Sequence, residues 1–175
     1  MKSSTARLCV VMAAVFVALC SAASRAADSE SLPRVQLNTK NAAPRPVEEL
    51  TEKALLRDYA SSWRNLAEAY ESASTGPLDP YFVDSARSGL VAAITGEAKN
   101  GVRSRYLEQQ HDVQAVFYAP EGDAIELHDT MTCQIQIVDG GKVLHEEQAK
   151  LHYVVILTPA ADRWVIRQLQ AVPHF

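Results

Sequence analysis

The chain has 175 residues, of which 47% are hydrophobic and 22% are charged, and its formal net charge is −4. This composition is typical of a single globular domain, and the negative charge argues against binding to nucleic acid or to an anionic membrane surface. The sequence contains no glycine-rich phosphate loop, no Ser-His-Asp spacing and no CxxC pair, so it predicts no cofactor.

Residues 1–26 have the three-part layout of a cleaved secretory signal peptide. Lys2 and Arg7 form a basic start, and the uncharged apolar run that follows has 13 residues, too few to anchor the chain across a bilayer core, which takes about 20. Cleavage after Ala26 removes Lys2, Arg7 and Arg25 and takes the formal net charge from −4 to −7. The sequence therefore predicts an exported protein, periplasmic or secreted, with Cys133 as its one cysteine and no internal disulfide.

The segment after the predicted signal peptide is expected to be a spacer. Residues 27–46 contain three prolines and lack apolar periodicity, as is usual in a flexible linker. A single folded domain is therefore predicted over residues 47–175.

Two helices are predicted at the start of this domain. Apolar residues recur at three- and four-residue steps over residues 47–72, which indicates a helix with one buried face. That face consists of Leu56, Tyr59, Trp63, Leu66, Ala67 and Tyr70. Asp79 as a cap and Pro80 at the first helical position predict a second helix, which Asn100 and Gly101 end. Its buried face consists of Val83, Ala86, Leu90, Ala93 and Ile94.

The second half of the domain is predicted to be a sheet. Residues 102–110 are ambiguous and compatible with a short third helix. After His111 the apolar period changes from about 3.6 residues to 2, which indicates strands. They cover residues 113–119, 124–138, 142–158 and 163–172. The fold class is therefore α+β, with N-terminal helices packed on a curved four-strand antiparallel meander.

The central hairpin gives a predicted register. A three-residue loop at 139–141 places the apolar odd-numbered residues of both strands on one face, whereas a two-residue loop would set an apolar face opposite a polar one. In this register Asp129 lies opposite Leu151 on the inner face, and His128 lies opposite His152 on the outer face.

The order of these elements, the DGGK hairpin at 139–142 and the closing DRWVIRQL stretch at 162–169 resemble the nuclear-transport-factor-like superfamily. This superfamily includes ketosteroid isomerases and polyketide-cyclase-like enzymes. The resemblance covers residues 47–173 and implies a cone-shaped half barrel in which helices and sheet enclose a cavity. No catalytic motif of the superfamily maps onto this sequence, so the resemblance implies a non-catalytic exported member.

Asp129 is the candidate catalytic residue, because it is a carboxylate in the apolar face of a strand. Such a group is costly to bury unless it is paired or hydrogen-bonded, and burial is one way in which proteins make a carboxyl a useful general base. The structural alternative is that Asp129 marks a bulge or pairs with an arginine, for which Arg103, Arg105 and Arg167 are candidates.

The other candidate pocket residues lie on the same strand face or on the first helix. They are Tyr59, Trp63, Tyr70, Met131, Cys133, His145, Glu147 and Tyr153. A helical aromatic stripe is also typical of plain core, and Cys133 has no evident cationic partner to activate it. His128 and His152 would supply two ligands where a closed zinc site takes three or four, so no metal site is predicted.

Two functions are compatible with these features. The first is an exported, non-catalytic domain that binds a small apolar ligand or an envelope protein through its cone. The alternative is an isomerase, cyclase or dehydratase with Asp129 as general base. That alternative requires Asp129 to point into a cavity within hydrogen-bond reach of a second polar group such as Tyr59, Tyr70 or His145.

Overall fold

A computed structural model describes residues 32–175, and the predicted signal peptide lies outside them. Two helices pack on one face of a six-stranded sheet, so the fold class is α+β. In chain order the elements are β1 (Arg34–Asn38), β2 (Ala43–Pro44), α1 (Glu49–Ser72), α2 (Asp84–Lys99), β3 (Val102–Tyr118), β4 (Ile125–Asp139), β5 (Lys142–Pro159) and β6 (Trp164–Val172). No helix within these residues is long and apolar enough to cross a membrane.

The sheet is mixed, and the prediction of four antiparallel strands was incomplete. The predicted meander is present as β3-β4-β5-β6. In addition, β1 and β2 pair with β3 in the parallel direction, which makes six strands. The main apolar core lies between the inner face of this sheet and the two helices.

β1 lies inside the segment that was predicted to be a flexible spacer. Its five residues pair with Gln110–Gln114 of β3, and Val35 and Leu37 pack against the core. An apolar residue at every second position is a strand signal, which the neighbouring prolines obscured. The folded domain therefore begins before residue 47.

β3 begins at Val102, so residues 102–110, which the sequence left ambiguous, form a strand and not a short third helix. The register with β4 shifts between Leu107 and Gln110, and Glu108 adopts a φ of 52°. This geometry is a β-bulge, which adds one residue to a strand and interrupts its alternation. The interruption explains why the period of 2 is not visible before His111.

α1 follows its prediction closely. Tyr59, Trp63, Leu66 and Tyr70 are buried, but Leu56 is 38% exposed and Leu55 occupies the core instead. The buried carboxylate of Asp58 accepts a hydrogen bond of 2.8 Å from the backbone N–H of Trp164. This bond fixes the centre of α1 to the start of β6.

α2 begins at Asp84, four residues after the predicted start at Pro80. The segment before it is held to β6 instead, because the N–H of Val83 donates to the carbonyl of Ile166 and the N–H of Ile166 donates to the carbonyl of Tyr81. Phe82 is buried between these bonds. Tertiary pairing therefore overrides the local start signal, while the end of the helix before Asn100 and Gly101 agrees with the prediction.

The β4–β5 hairpin has a two-residue loop, so the predicted three-residue loop is wrong. Asp139 pairs with Lys142 around Gly140 and Gly141, and both glycines have the positive φ that such tight turns require. A bulge next to Val138 then shifts the register, so that Asp129 lies opposite Tyr153 and not Leu151. The shorter loop alone would place odd-numbered residues of β4 opposite even-numbered residues of β5. The bulge adds one residue to β5, so odd-numbered residues of both strands still lie on the inner face.

Candidate functional site

Asp129 lies on the inner face of β4 and is fully buried. Its Oδ2 atom accepts a hydrogen bond of 2.6 Å from the Tyr59 hydroxyl on α1 and one of 2.7 Å from Nδ1 of His111 on β3. These contacts join one helix and two strands at a single carboxylate oxygen. We call Tyr59, His111 and Asp129 the buried polar triad.

The predicted arginine partners of Asp129 are engaged elsewhere. Arg105 pairs with Glu71, Arg167 pairs with Asp84, and Arg103 donates to the backbone carbonyl of Glu71. The structural alternative that paired Asp129 with an arginine is therefore wrong.

His111 was not predicted as a site residue. It lies opposite Met131 in the β3–β4 ladder, one inner-face position from Asp129. The signal was available, since His111 precedes the inner-facing Val113 by two residues and so shares its face. It was missed because the strand was predicted to begin after it.

Three buried polar atoms around the triad have no hydrogen-bond partner within residues 32–175. They are Oδ1 of Asp129, Nε2 of His111 and Nε1 of Trp63. The Trp63 ring lies against the His111 ring, with 4.6 Å between centroids. Buried polar atoms are nearly always paired, so this cluster is unusual for a plain apolar core.

The electrostatics of the triad keep Tyr59 neutral. Burial raises the pKa of the Tyr59 phenol well above 10, and the adjacent carboxylate of Asp129 raises it further by its charge and its hydrogen bond. Tyr59 is therefore a hydrogen-bond donor to Asp129 at every physiological pH.

A cavity of about 160 Å³ lies beside the triad, between the two helices and the sheet. Its walls are Trp63, Leu66, Ala67, Tyr70, Leu90, Tyr106, Gln109, Tyr153, Leu169 and Ala171. Trp63 and Tyr153 stand between this cavity and the triad, since Trp63 covers His111 and Tyr153 lies opposite Asp129. Asp129 and His111 do not line it. We call this space the aromatic cavity.

A second, larger cavity adjoins the first. It has a volume of about 350 Å³ and is lined by Leu32, Pro33, Arg34, Tyr106, Glu108, Gln109 and Gln110. Tyr106 and Gln109 line both cavities. The β3 bulge therefore supplies the wall that the two cavities share, as bulges often do beside binding sites.

The structure brings together only part of the predicted pocket. Trp63, Tyr70 and Tyr153 line the aromatic cavity, and Tyr59 contacts Asp129 behind it. Met131 is fully buried in the core.

The three other predicted pocket residues and the histidine pair have different surroundings. Burial raises the pKa of the Cys133 thiol to about 11, so this buried cysteine is a neutral thiol and not an activated nucleophile. His145 and Glu147 are exposed, with 3.5 Å between His145 Nε2 and a Glu147 carboxylate oxygen. His128 lies opposite Val154 and not His152, and the rings of both histidines contact Phe175.

No group of three or more metal-ligating side chains occurs in the described part of the chain. The two outer-face histidines are each engaged with a polar neighbour, His128 with Glu126 at 3.0 Å and His152 with Thr130 at 3.1 Å.

Known proteins resemble this chain in fold. No protein-family description matches the sequence, and no curated protein matches it. The crystal structure of the intermembrane space region of the chloroplast protein ARC6 is similar, with a TM-score of 0.58 and 12% identity over 74% of this chain and 98% of that one. The structure of Aln2 from a Streptomyces species has a TM-score of 0.46 and 13% identity over 73% of this chain and 93% of that one. The likeness to the ARC6 region shows a common α+β fold.

Proposed function

We propose that this chain is an exported, non-catalytic binding domain of the nuclear-transport-factor-like type, which takes a small and mostly apolar ligand into the aromatic cavity. The observation that carries the proposal is the cavity itself, which lies where the helices meet the sheet. Ligand sites in proteins are concave, mostly apolar and aromatic, with few polar groups. Nine of the ten residues that line the aromatic cavity have apolar or aromatic side chains, and Gln109 is the exception.

The volume of the cavity limits the ligand. Apolar protein cavities of about 150 Å³ bind benzene, and the aromatic cavity has about 160 Å³. The ligand is therefore of the size of one ring or one short branched chain, and a longer ligand would extend past Tyr106 into the adjoining cavity.

Export is supported by the sequence alone. The basic start, the apolar run and the small residues before the cut after Ala26 are the features of a secretory signal. An exported domain with this binding site would meet its ligand in the periplasm or outside the cell.

Replacing Ala67 with phenylalanine tests the binding site. Ala67 lines the aromatic cavity from α1, so the larger side chain fills the space without changing a charge. We expect the unmodified protein to bind benzene or toluene saturably in ligand-observed NMR, and Ala67→Phe to abolish that binding.

The matched control for this test is Ala92→Phe, which makes the same change at an exposed position of α2 and should bind both probes as the unmodified protein does. If the unmodified protein binds neither probe, or if Ala67→Phe binds as well as Ala92→Phe, the proposed site is wrong.

A second candidate is an isomerase, cyclase or dehydratase in which Asp129 is the general base. The observation that favours it is the buried polar triad. Asp129 points inward, contacts Tyr59 and has one carboxylate oxygen with no hydrogen-bond partner among residues 32–175. A substrate in the aromatic cavity would reach that oxygen only if Trp63 or Tyr153 moved aside.

The enzyme candidate predicts proton transfer at carbon. A general base typically contributes about 100-fold or more to rate, so the protein would accelerate deuterium uptake at the α-carbon of a small cyclic ketone in heavy water. Asp129→Asn would abolish the acceleration, whereas Asp112→Asn, at an exposed position of β3, would retain it. Uptake at the buffer rate with the unmodified protein would remove this candidate and leave the binding domain.

A further inference from the structure

We infer that the aromatic cavity prefers a small organic cation whose charge is spread over methyl groups, such as a quaternary ammonium compound, to a neutral apolar molecule of the same shape. The inference rests on the proposed binding function and specifies the chemical class of the ligand. It is carried by four aromatic rings that line one small space, which contains no positively charged side chain among its described lining residues.

The rings occur as two pairs. Trp63 and Tyr153 have centroids 5.2 Å apart, and Tyr70 and Tyr106 have centroids 5.3 Å apart. All four line the aromatic cavity. A cation within about 6 Å of a ring centroid is attracted by the ring's electron-rich face, and tryptophan is the strongest such partner. Because all four rings line one cavity of about 160 Å³, a methylated ammonium group placed in it lies near more than one ring.

The two pairs face the same space. Burial is the main cause that raises the pKa of Tyr153 above its usual value, but nearby Cys133 and Tyr70 add to it. Burial likewise raises the pKa of Tyr106, with further contributions from Tyr70 and Tyr153. Tyr70, Tyr106 and Tyr153 all line the same cavity of about 160 Å³ together with Trp63, and this shared lining places the two pairs around one space.

Three carboxylates act on groups at or next to the aromatic cavity, although none of the three lines it. The pKa of Tyr70 is raised to about 12, mainly by burial and secondly by the negative charge of Glu97. Asp129 contributes in the same direction at Tyr153, and Glu147 does so at Cys133. Glu97 is held in place because both its oxygens accept hydrogen bonds of 2.8 Å from Ser104.

No positively charged side chain lines the aromatic cavity in the described part of the chain. Among the described residues that line the two cavities, the one cation is Arg34, which lines the adjoining cavity together with Glu108. A neutral hydrocarbon would gain only burial in this space, whereas a methylated cation would gain burial and the attraction of the aromatic rings.

Choline and its neutral isostere, in which a quaternary carbon replaces the nitrogen, separate these ligand classes. We expect isothermal titration calorimetry on the full folded domain to give about tenfold or more tighter binding for choline, because two or more rings each add a cation interaction. If the isostere binds as tightly as choline, the inference is overturned and the proposed apolar site remains. If choline, the isostere and benzene all fail to bind, both this inference and the proposed binding function are wrong.

Tyr153 provides the matched variants. Tyr153→Leu removes a ring and should weaken choline binding by about fivefold or more, while Tyr153→Phe keeps the ring and should stay within about twofold of the unmodified protein. The same pair of changes at Tyr106 serves as a second measurement if Tyr153→Leu does not fold, as judged by circular dichroism. Equal choline affinity in the leucine and phenylalanine variants at both positions would contradict the inference.

Discussion

Replacing Asp129 with alanine is expected to lower the free energy of unfolding by about 3–5 kcal/mol, the range seen when one partner of a buried pair is removed. Asp129 is fully buried, and its Oδ2 atom is the acceptor for both Tyr59 and His111. Alanine would leave a phenol hydroxyl and an imidazole N–H without an acceptor in an apolar surrounding. Each such unpaired group costs about 1–3 kcal/mol.

Guanidinium chloride unfolding at neutral pH measures this loss. The matched control is Asp112→Ala, which makes the same change in β3 at an exposed position, where the carboxylate has only a weak contact of 3.4 Å with Gln114. That change should alter stability by no more than about 0.5 kcal/mol. A loss below about 1 kcal/mol for Asp129→Ala would mean that the triad does not hold α1 to the sheet.

The inner face of the sheet could be predicted because burial has a simple period. Ile125, Leu127, Met131 and Cys133 alternate with polar residues along β4 and are all buried. The hydrophobic effect acts on each of these side chains independently of exact pairing. Asp129 could therefore be placed among them, pointing inward, from the sequence alone.

The pairing of strands could not be predicted in the same way. The two-residue loop at Gly140 and Gly141 and the bulge beside Val138 each move the pairing of β4 and β5 by one residue relative to the predicted register. Together they move it by two residues, so odd-numbered residues of both strands still lie on the same face. Two compensating irregularities leave the apolar pattern unchanged, so the sequence is equally consistent with either register. The two-residue displacement explains why Asp129 faces Tyr153.

Long-range contacts explain the other differences. β1 is a strand because the edge of β3 pairs with it, and residues 81–83 leave the helix because Ile166 pairs with them. Neither partner is close in sequence, so no local propensity indicates the contact. The same limit applies to the site. The bulge near Glu108 sets the β3–β4 register in which His111 lies opposite Met131, next to Asp129, and the sequence did not indicate this bulge.

The second large effect is expected at high pH, where the domain should lose stability steeply above pH 10. Burial raises the pKa of Tyr59, Tyr70, Tyr106 and Tyr153 above their usual value of 10, with Tyr70 at about 12. A group whose pKa is higher in the folded protein than in the unfolded chain stabilises the fold fully at any pH below its pKa in the unfolded chain. That stabilisation is lost as the pH rises from the unfolded pKa through the folded one.

The size of the effect follows from the number of protons released on unfolding. Each tyrosine that ionises only in the unfolded chain costs about 1.4 kcal/mol per pH unit, so four cost about 5 kcal/mol per pH unit from pH 10 to about pH 12. Above about pH 12 Tyr70 also ionises in the folded state, and the other three cost about 4 kcal/mol per pH unit. Cys133 adds to the loss from about pH 9, since its pKa is raised from 9.0 to about 11. A domain with a typical stability of about 5–15 kcal/mol would therefore unfold below about pH 13.

Circular dichroism and tyrosinate absorbance, followed together from pH 9 upward, measure this transition. We expect both signals to change at the same pH, because the buried phenols ionise when the fold is lost. Tyr153→Phe removes one of the four ionisable groups. The free energy of unfolding of this variant should therefore fall less steeply above pH 10 than that of the unmodified protein, and the two slopes should differ by about 1.4 kcal/mol per pH unit. If these tyrosines instead titrate near pH 10 while the dichroism is unchanged, they are accessible to water in the folded state. The aromatic cavity would then be an open surface cleft, too polar for the ligand that we propose.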